Sequence, residues 1–107
     1  MSINAIIINS LKDIGVPVGF QNYSGSQKTY ISFFEYNQKS GLNADDEEQR
    51  TTHFIQIDVW SNTDYTEIVS QVKQAIKSNG FTRTSEADLY EKETGIFHKV
   101  IRFKGEI

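Results

Sequence analysis

The sequence predicts one α+β domain with element order α-β-β-β-α-β-β. Two segments carry apolar residues at helical spacing, five carry strand patterning, and 107 residues leave room for a single core. Neither internal repeats nor low-complexity tracts interrupt the pattern.

The first helix is expected over residues 3–14, where Ile3, Ile6, Ile7, Leu11 and Ile14 form one stripe. Ser2 offers an N-cap, and Gly15 followed by Pro17 stops the helix. Its β-branched isoleucines are mediocre helix formers, so the helix must depend on packing against a sheet. Val16, Val18 and Phe20 alternate as a short strand, and residues 29–36 form a longer one with aromatics on both faces. Such a strand is either buried on two sides or presents an interaction face. The clearest strand is 51–60. There His53, Ile55, Ile57 and Val59 share one face, the better core candidate, while Phe54, Gln56, Asp58 and Trp60 share the other.

The second helix follows, with Asp64 as N-cap and Glu67 three residues on in a variant capping box. Tyr65, Ile68, Val69, Val72 and Ile76 make its apolar stripe, and Asn79-Gly80 closes it. Phe81–Ser85, extended by Ala87–Tyr90, and Ile96–Lys104 then form a hairpin around a turn at 91–95.

Composition narrows the function. Twelve per cent aromatics with 37% hydrophobic residues describe a chain that folds. The lack of cysteine excludes disulfides, thiolate catalysis and zinc–thiolate sites, and agrees with a cytoplasmic protein. The N-terminal apolar run lacks a basic region and a cleavage site, and no window approaches a membrane span. A net charge of −3 gives no general attraction to nucleic acid.

No motif carries chemistry. His53 and His98 lie in different strands with no HxH, HxxxH or HExxH spacing, and a metal would need a third ligand such as Asp58 or Asp88. No G-x-S-x-G elbow and no G-x-G-x-x-G phosphate loop is present. Lys99, Arg102 and Lys104 beside Phe97 and Phe103 suggest a nucleic-acid surface, but alternation sets Lys99 and Phe103 on one face and Arg102 on the other. Trp60 and Tyr65 read as packing residues. Neither an enzyme, a metal nor a cofactor is expected.

Residues 37–50 have few apolar anchors, and Asp45-Asp46-Glu47-Glu48 lacks the alternation and glycine of a calcium loop. The segment is expected as a mobile acidic loop, and a long loop in a small domain is usually functional. Lys39, Leu42, Asp45, Asp46, Glu47, Glu48 and Arg50 are its candidate assembly residues.

Several stretches share the style of a known family: Ala44–Glu48, His53-Phe-Ile-Gln-Ile-Asp-Val-Trp-Ser61, Asp64-Tyr65, Gly80-Phe-Thr-Arg83, Asp88-Leu-Tyr90 and His98-Lys-Val-Ile-Arg-Phe103. From Tyr30 onward the chain resembles the small tail-completion proteins of long-tailed bacteriophages and Gram-positive prophages, also described as tail terminators or tail-to-head joining proteins. The resemblance implies helices packed on a mixed, mostly antiparallel sheet. It implies a homo-oligomeric ring, commonly hexameric, that caps the tail tube protein and joins it to the head connector protein. It carries over no catalytic residue, and it implies assembly in the bacterial host cytoplasm followed by residence in the virion tail. An acidic chain suits a passage that should not hold DNA. The competing readings are a head-completion or minor tail protein of similar fold, and a small ligand-binding or regulatory domain of a bacterial cytoplasm.

Overall fold

The computed structural model describes residues 2–21, 25, 28–44 and 47–106, and for residues 40–50 the described part is backbone alone. Helix α1 spans Ile3–Leu11, and the Ser2 hydroxyl accepts the Ala5 N–H at 3.2 Å, the expected cap. A 3-10 turn over Lys12–Ile14 continues it to Gly15, whose φ of 92° is a left-handed conformation that glycine adopts without strain. The remaining elements are β1 (Val18–Phe20), β2 (Tyr30–Ala44), β3 (Glu47–Ser61), α2 (Thr66–Ser78), β4 (Thr82–Glu91) and β5 (Ile96–Glu106). The predicted order is therefore observed.

The strands form one mixed sheet in the order β1-β2-β3-β5-β4, with β1 parallel to β2 and every other pair antiparallel. Strands β3 and β4 each run antiparallel to β5, which lies between them, so the chain needs a crossover between β3 and β4. Helix α2 is that crossover. It begins one residue later than expected, with Tyr65 at the N-cap. Asp64 still caps from outside, because its Oδ1 accepts the Thr66 N–H at 3.0 Å and the Thr66 hydroxyl at 2.6 Å. The Thr66 hydroxyl and then its N–H hold the Asp64 carboxyl below its ordinary value.

Both helices lie on one face of the sheet. Ile7 and Leu11 of α1 and Val69, Val72 and Ile76 of α2 pack on Ile31, Phe33, Ile55, Ile57, Val59, Ile101 and Phe103. The face chosen from alternation in β3 is thus the core face. Asn79 fastens the helices together by donating from Nδ2 to Ser10 Oγ at 2.8 Å.

One close approach is built into this core. A Cβ on Gly105 would stand 2.5 Å from Phe81 Cδ1, and Phe81 is buried. Gly105→Ala is therefore expected to push the ring off its site at a cost of about 1–3 kcal/mol. Chemical denaturation of the variant beside the native protein would check it.

Over residues 37–44 and 47–50 the structure corrects the expected loop to strand, and Asp45 and Asp46 lie outside the described residues. Strand β2 continues to Ala44 and β3 begins at Glu47, with pairs through Lys39↔Thr52, Ser40↔Thr51, Leu42↔Arg50 and Ala44↔Glu47. The physical reason lies in the pairing. Strand β5 reaches to Glu106 opposite Thr52, so residues 40–44 and 47–51 form a two-stranded ribbon overhanging the sheet. A ribbon with no helix layer needs no alternating apolar pattern, and without that pattern it reads as loop. The molecule is correspondingly long, 53 × 24 × 23 Å, which matches the reach of a 15-residue strand.

Candidate functional site

Without a helix layer, the second sheet face is covered by its own side chains. Tyr30 and Trp60 are paired residues whose rings stack with centroids 5.9 Å apart. Trp60 stacks in turn on its partner His98, at 3.6 Å and 12° between planes. The indole N–H donates to Ser32 Oγ at 3.0 Å. His98 Nε2 donates to Asp58 Oδ1 at 2.7 Å, and Gln56 Nε2 donates to the same oxygen at 2.9 Å. Arg102 Nε then donates to Gln56 Oε1 at 3.1 Å, and its guanidinium lies 4.8 Å over the Tyr36 ring.

Tyr36 is the extra residue of a β-bulge between Glu35 and Asn37, and its ring tilts against Phe54 at 6.0 Å. Lys39 Nζ, at the base of the ribbon, lies 5.8 Å from the centre of the Phe54 ring. One polar–aromatic ladder therefore runs the length of the open face, from Tyr30 to Lys39. It shields Asp58 to 4% exposure and Ser32 to 6% without a second layer. The buried carboxylate and hydroxyl are both hydrogen-bonded, so the ladder fixes a surface of defined shape.

The candidate ligands are not brought together. His98 is on the open face, whereas His53 is on the helix face beside Glu35, which it contacts through Nδ1. The sheet separates the two rings. Asp58 reaches His98 but not His53, and Asp88 is engaged by Tyr65 and Lys99. Among the described residues no group of three or more His, Asp or Glu side chains could hold a metal ion. No described helix is long and apolar enough to cross a membrane.

Of the candidate assembly residues, Lys39, Leu42, Glu47, Glu48 and Arg50 fall on the paired strands of the ribbon, with Leu42 opposite Arg50 and Glu48 opposite Asn43. Asp45 and Asp46 lie outside the described residues. The sequence reading missed the ladder. The available signal was the open-face set Phe54, Gln56, Asp58, Trp60, too polar for a core and too aromatic for a plain solvent face.

A second cluster escaped the sequence reading too. On the helix side, at the α2–β4 edge, Glu86 accepts from Lys73 Nζ at 3.1 Å, Arg83 Nη1 at 3.0 Å and Lys99 Nζ at 3.3 Å. Lys99 also reaches Asp88 at 3.1 Å, and Asp88 accepts the Tyr65 hydroxyl at 2.8 Å. Burial opposes ionisation of Glu86, but the bonds from Lys73, Arg83 and Lys99 outweigh it and take its pKa from 4.5 to about 2. Tyr65 is pushed up to about 12, by burial first and by the Asp88 carboxylate second.

Because the folded pKa of Glu86 is depressed, its stabilising contribution is complete above the ordinary value of 4.5 and is lost as pH falls towards 2. Glu86 is 25% exposed, so solvent screening reduces that contribution to about 1–2 kcal/mol. Glu86→Gln is expected to lower stability at pH 7 by this amount and to flatten the loss between pH 5 and pH 3. Urea denaturation at the three pH values measures both.

The family model described as Tail completion protein gp17 matches residues 23–105. Among curated proteins none matches. One solved structure, described as the virion of a native gene transfer agent (GTA) particle, contains a chain similar in fold, with TM-score 0.68 and 12% identity over 98% of this chain and 93% of that one. The family match spans the whole sheet apart from β1, together with α2, the ribbon and the ladder. The chain therefore belongs to the tail completion protein gp17 family, and is a structural protein of bacteriophage-type tails.

Proposed function

We propose that the protein terminates the tail tube of a phage or prophage particle and joins it to the head connector, as a ring of identical copies held together through the ribbon. The observation that carries this reading is the overhang. Residues 40–44 and 47–51 form two paired strands with no third strand beside them among the described residues, and a two-stranded ribbon is marginal in water unless something packs on it. Within a chain of 107 residues such an extension is best explained by contacts beyond the monomer. An arm at one end of the subunit meeting a different surface of the next makes a head-to-tail contact, which closes into a ring when the rotation permits. The net charge of −3 suits a DNA passage, since a negative wall does not hold the genome. The work is done by binding and assembly, inside the host during morphogenesis and then in the finished tail.

The test is genetic and structural. A phage lacking the protein should release filled heads and separate tails, seen by electron microscopy, and the purified protein should add a ring to the ends of tail tubes. Normal joined particles in its absence would overturn the reading, and defective heads with normal tails would favour a head-completion role.

A further inference from the structure

We infer that the cleft between α2 and β4 is the receptor for the acidic run 45–48 of a second copy, an assignment that rests on the ring reading and gives the ribbon its docking site. The cleft encloses about 410 Å³ and is lined by Lys73, Lys77, Phe81, Thr82, Arg83 and Phe103. Its floor is apolar, since Phe81 is 3% and Phe103 1% exposed, and its rim is cationic. Within the cluster at this rim, positive charge exceeds negative. Lys73 and Arg83 share one oxygen of Glu86, and Lys99 spans Glu86 and Asp88. Lys77 makes no ion pair among the described residues, although it stands on the same rim. This is an unneutralised basic patch on a chain whose net charge is −3. Spaced cations on the rim of a cleft suit an extended acidic peptide, whose carboxylates meet the rim.

The chain itself supplies such a peptide, for its run of four consecutive acids is Asp45-Asp46-Glu47-Glu48. A subunit cannot use its own run. Phe103 on the cleft floor is paired with Ile55, eight residues along β3 from Glu47 at the far end of the ribbon. At strand rise that is about 27 Å, and the pairing of β3 with β2 keeps Glu47 at that distance. A second copy carries no such restriction. The ribbon and the cleft are different surfaces, which is the arrangement a head-to-tail ring requires.

The probe is a fluorescein-labelled peptide of residues 41–51, titrated with the full-length protein and read by anisotropy. Saturable binding is expected that weakens at least tenfold between 50 and 300 mM salt, as a contact between exposed charges must. Lys77→Glu is expected to weaken it tenfold or more, and so is Arg83→Glu. A peptide with Asn or Gln at all four acidic positions should not bind. Lys77→Glu alone suffices should Arg83→Glu fail to fold, because Lys77 holds no described partner. No binding by the native peptide, or binding unchanged by Lys77→Glu, overturns the assignment; so does an oligonucleotide that binds the cleft while the peptide does not. Rings on tail tubes are scored separately, so they can persist when this assignment fails.

Discussion

Phe33→Ala is expected to lower stability by about 3–5 kcal/mol, a large part of what a domain of this size possesses. Phe33 is 1% exposed and lies in the middle of β2, under both helices' side of the sheet, with Ile57 as its antiparallel partner. Its ring meets Phe20 edge-on at 5.6 Å, and its carbonyl accepts the Gln21 N–H at 2.7 Å. Strand β1 pairs with β2 through three residues, of which Phe20↔Phe33 is one, so the truncation also loosens the parallel edge. The neighbouring Phe34 provides the internal control. It points to the open face and is half-buried by ladder side chains, so Phe34→Ala should cost about 1–2 kcal/mol. Thermal melts of the two variants should differ by roughly 10 °C or more, with Phe33→Ala the lower. Equal effects would mean that the helix layer is not what stabilises this sheet.

That contrast also marks what could be read in the sequence. Where one face of an element is buried, period alone located it. The stripe of α2, the Ile55-Ile57-Val59 face of β3 and the Ile101 and Phe103 positions of β5 are all visible, because burial on one side forces apolar residues to recur at 3.6 or at 2. The capping chemistry of Ser2 and the stop at Gly15 were visible for a local reason, since they satisfy backbone groups within three residues. Strand order was not legible: β5 inserts between β3 and β4 through pairings up to 54 residues apart, such as Thr52 with Glu106.

The ribbon and the ladder were missed for opposite reasons. Residues 40–44 and 47–51 pair as two strands beyond the end of β5, and they carry no apolar alternation. In the ladder, individual residues were judged singly. His98 and Asp58 were weighed as metal ligands and Trp60 as packing, whereas their meaning comes from the register that sets Trp60 opposite His98 and Asp58 one row away.

The largest biological effect is expected from removing the ribbon. Deleting residues 40–51 and joining Lys39 to Thr52 through Asn-Gly places a two-residue turn across an existing pair, where a type I′ hairpin fits the strand twist. The core cluster of the described residues lies wholly outside the deleted stretch, and the connection becomes shorter. The shortened protein should therefore melt within about 1 kcal/mol of the native one. Supplied to a phage that lacks the protein, it should nevertheless leave infectious titre at the level of the empty control, with tails that carry no ring. Replacing Asp45, Asp46, Glu47 and Glu48 with Asn and Gln, with the ribbon kept at full length, separates shape from charge. Loss of titre in both variants assigns the contact to the acidic run; loss in the deletion alone assigns it to the ribbon backbone. Full titre from the shortened protein would show that the ribbon is not the joining element. Neighbouring copies would then have to meet through the outer edges of β1 and β4 or the stretch of β2 beyond Phe33 that β1 leaves uncovered, which are the other unpaired hydrogen-bonding edges the described fold offers.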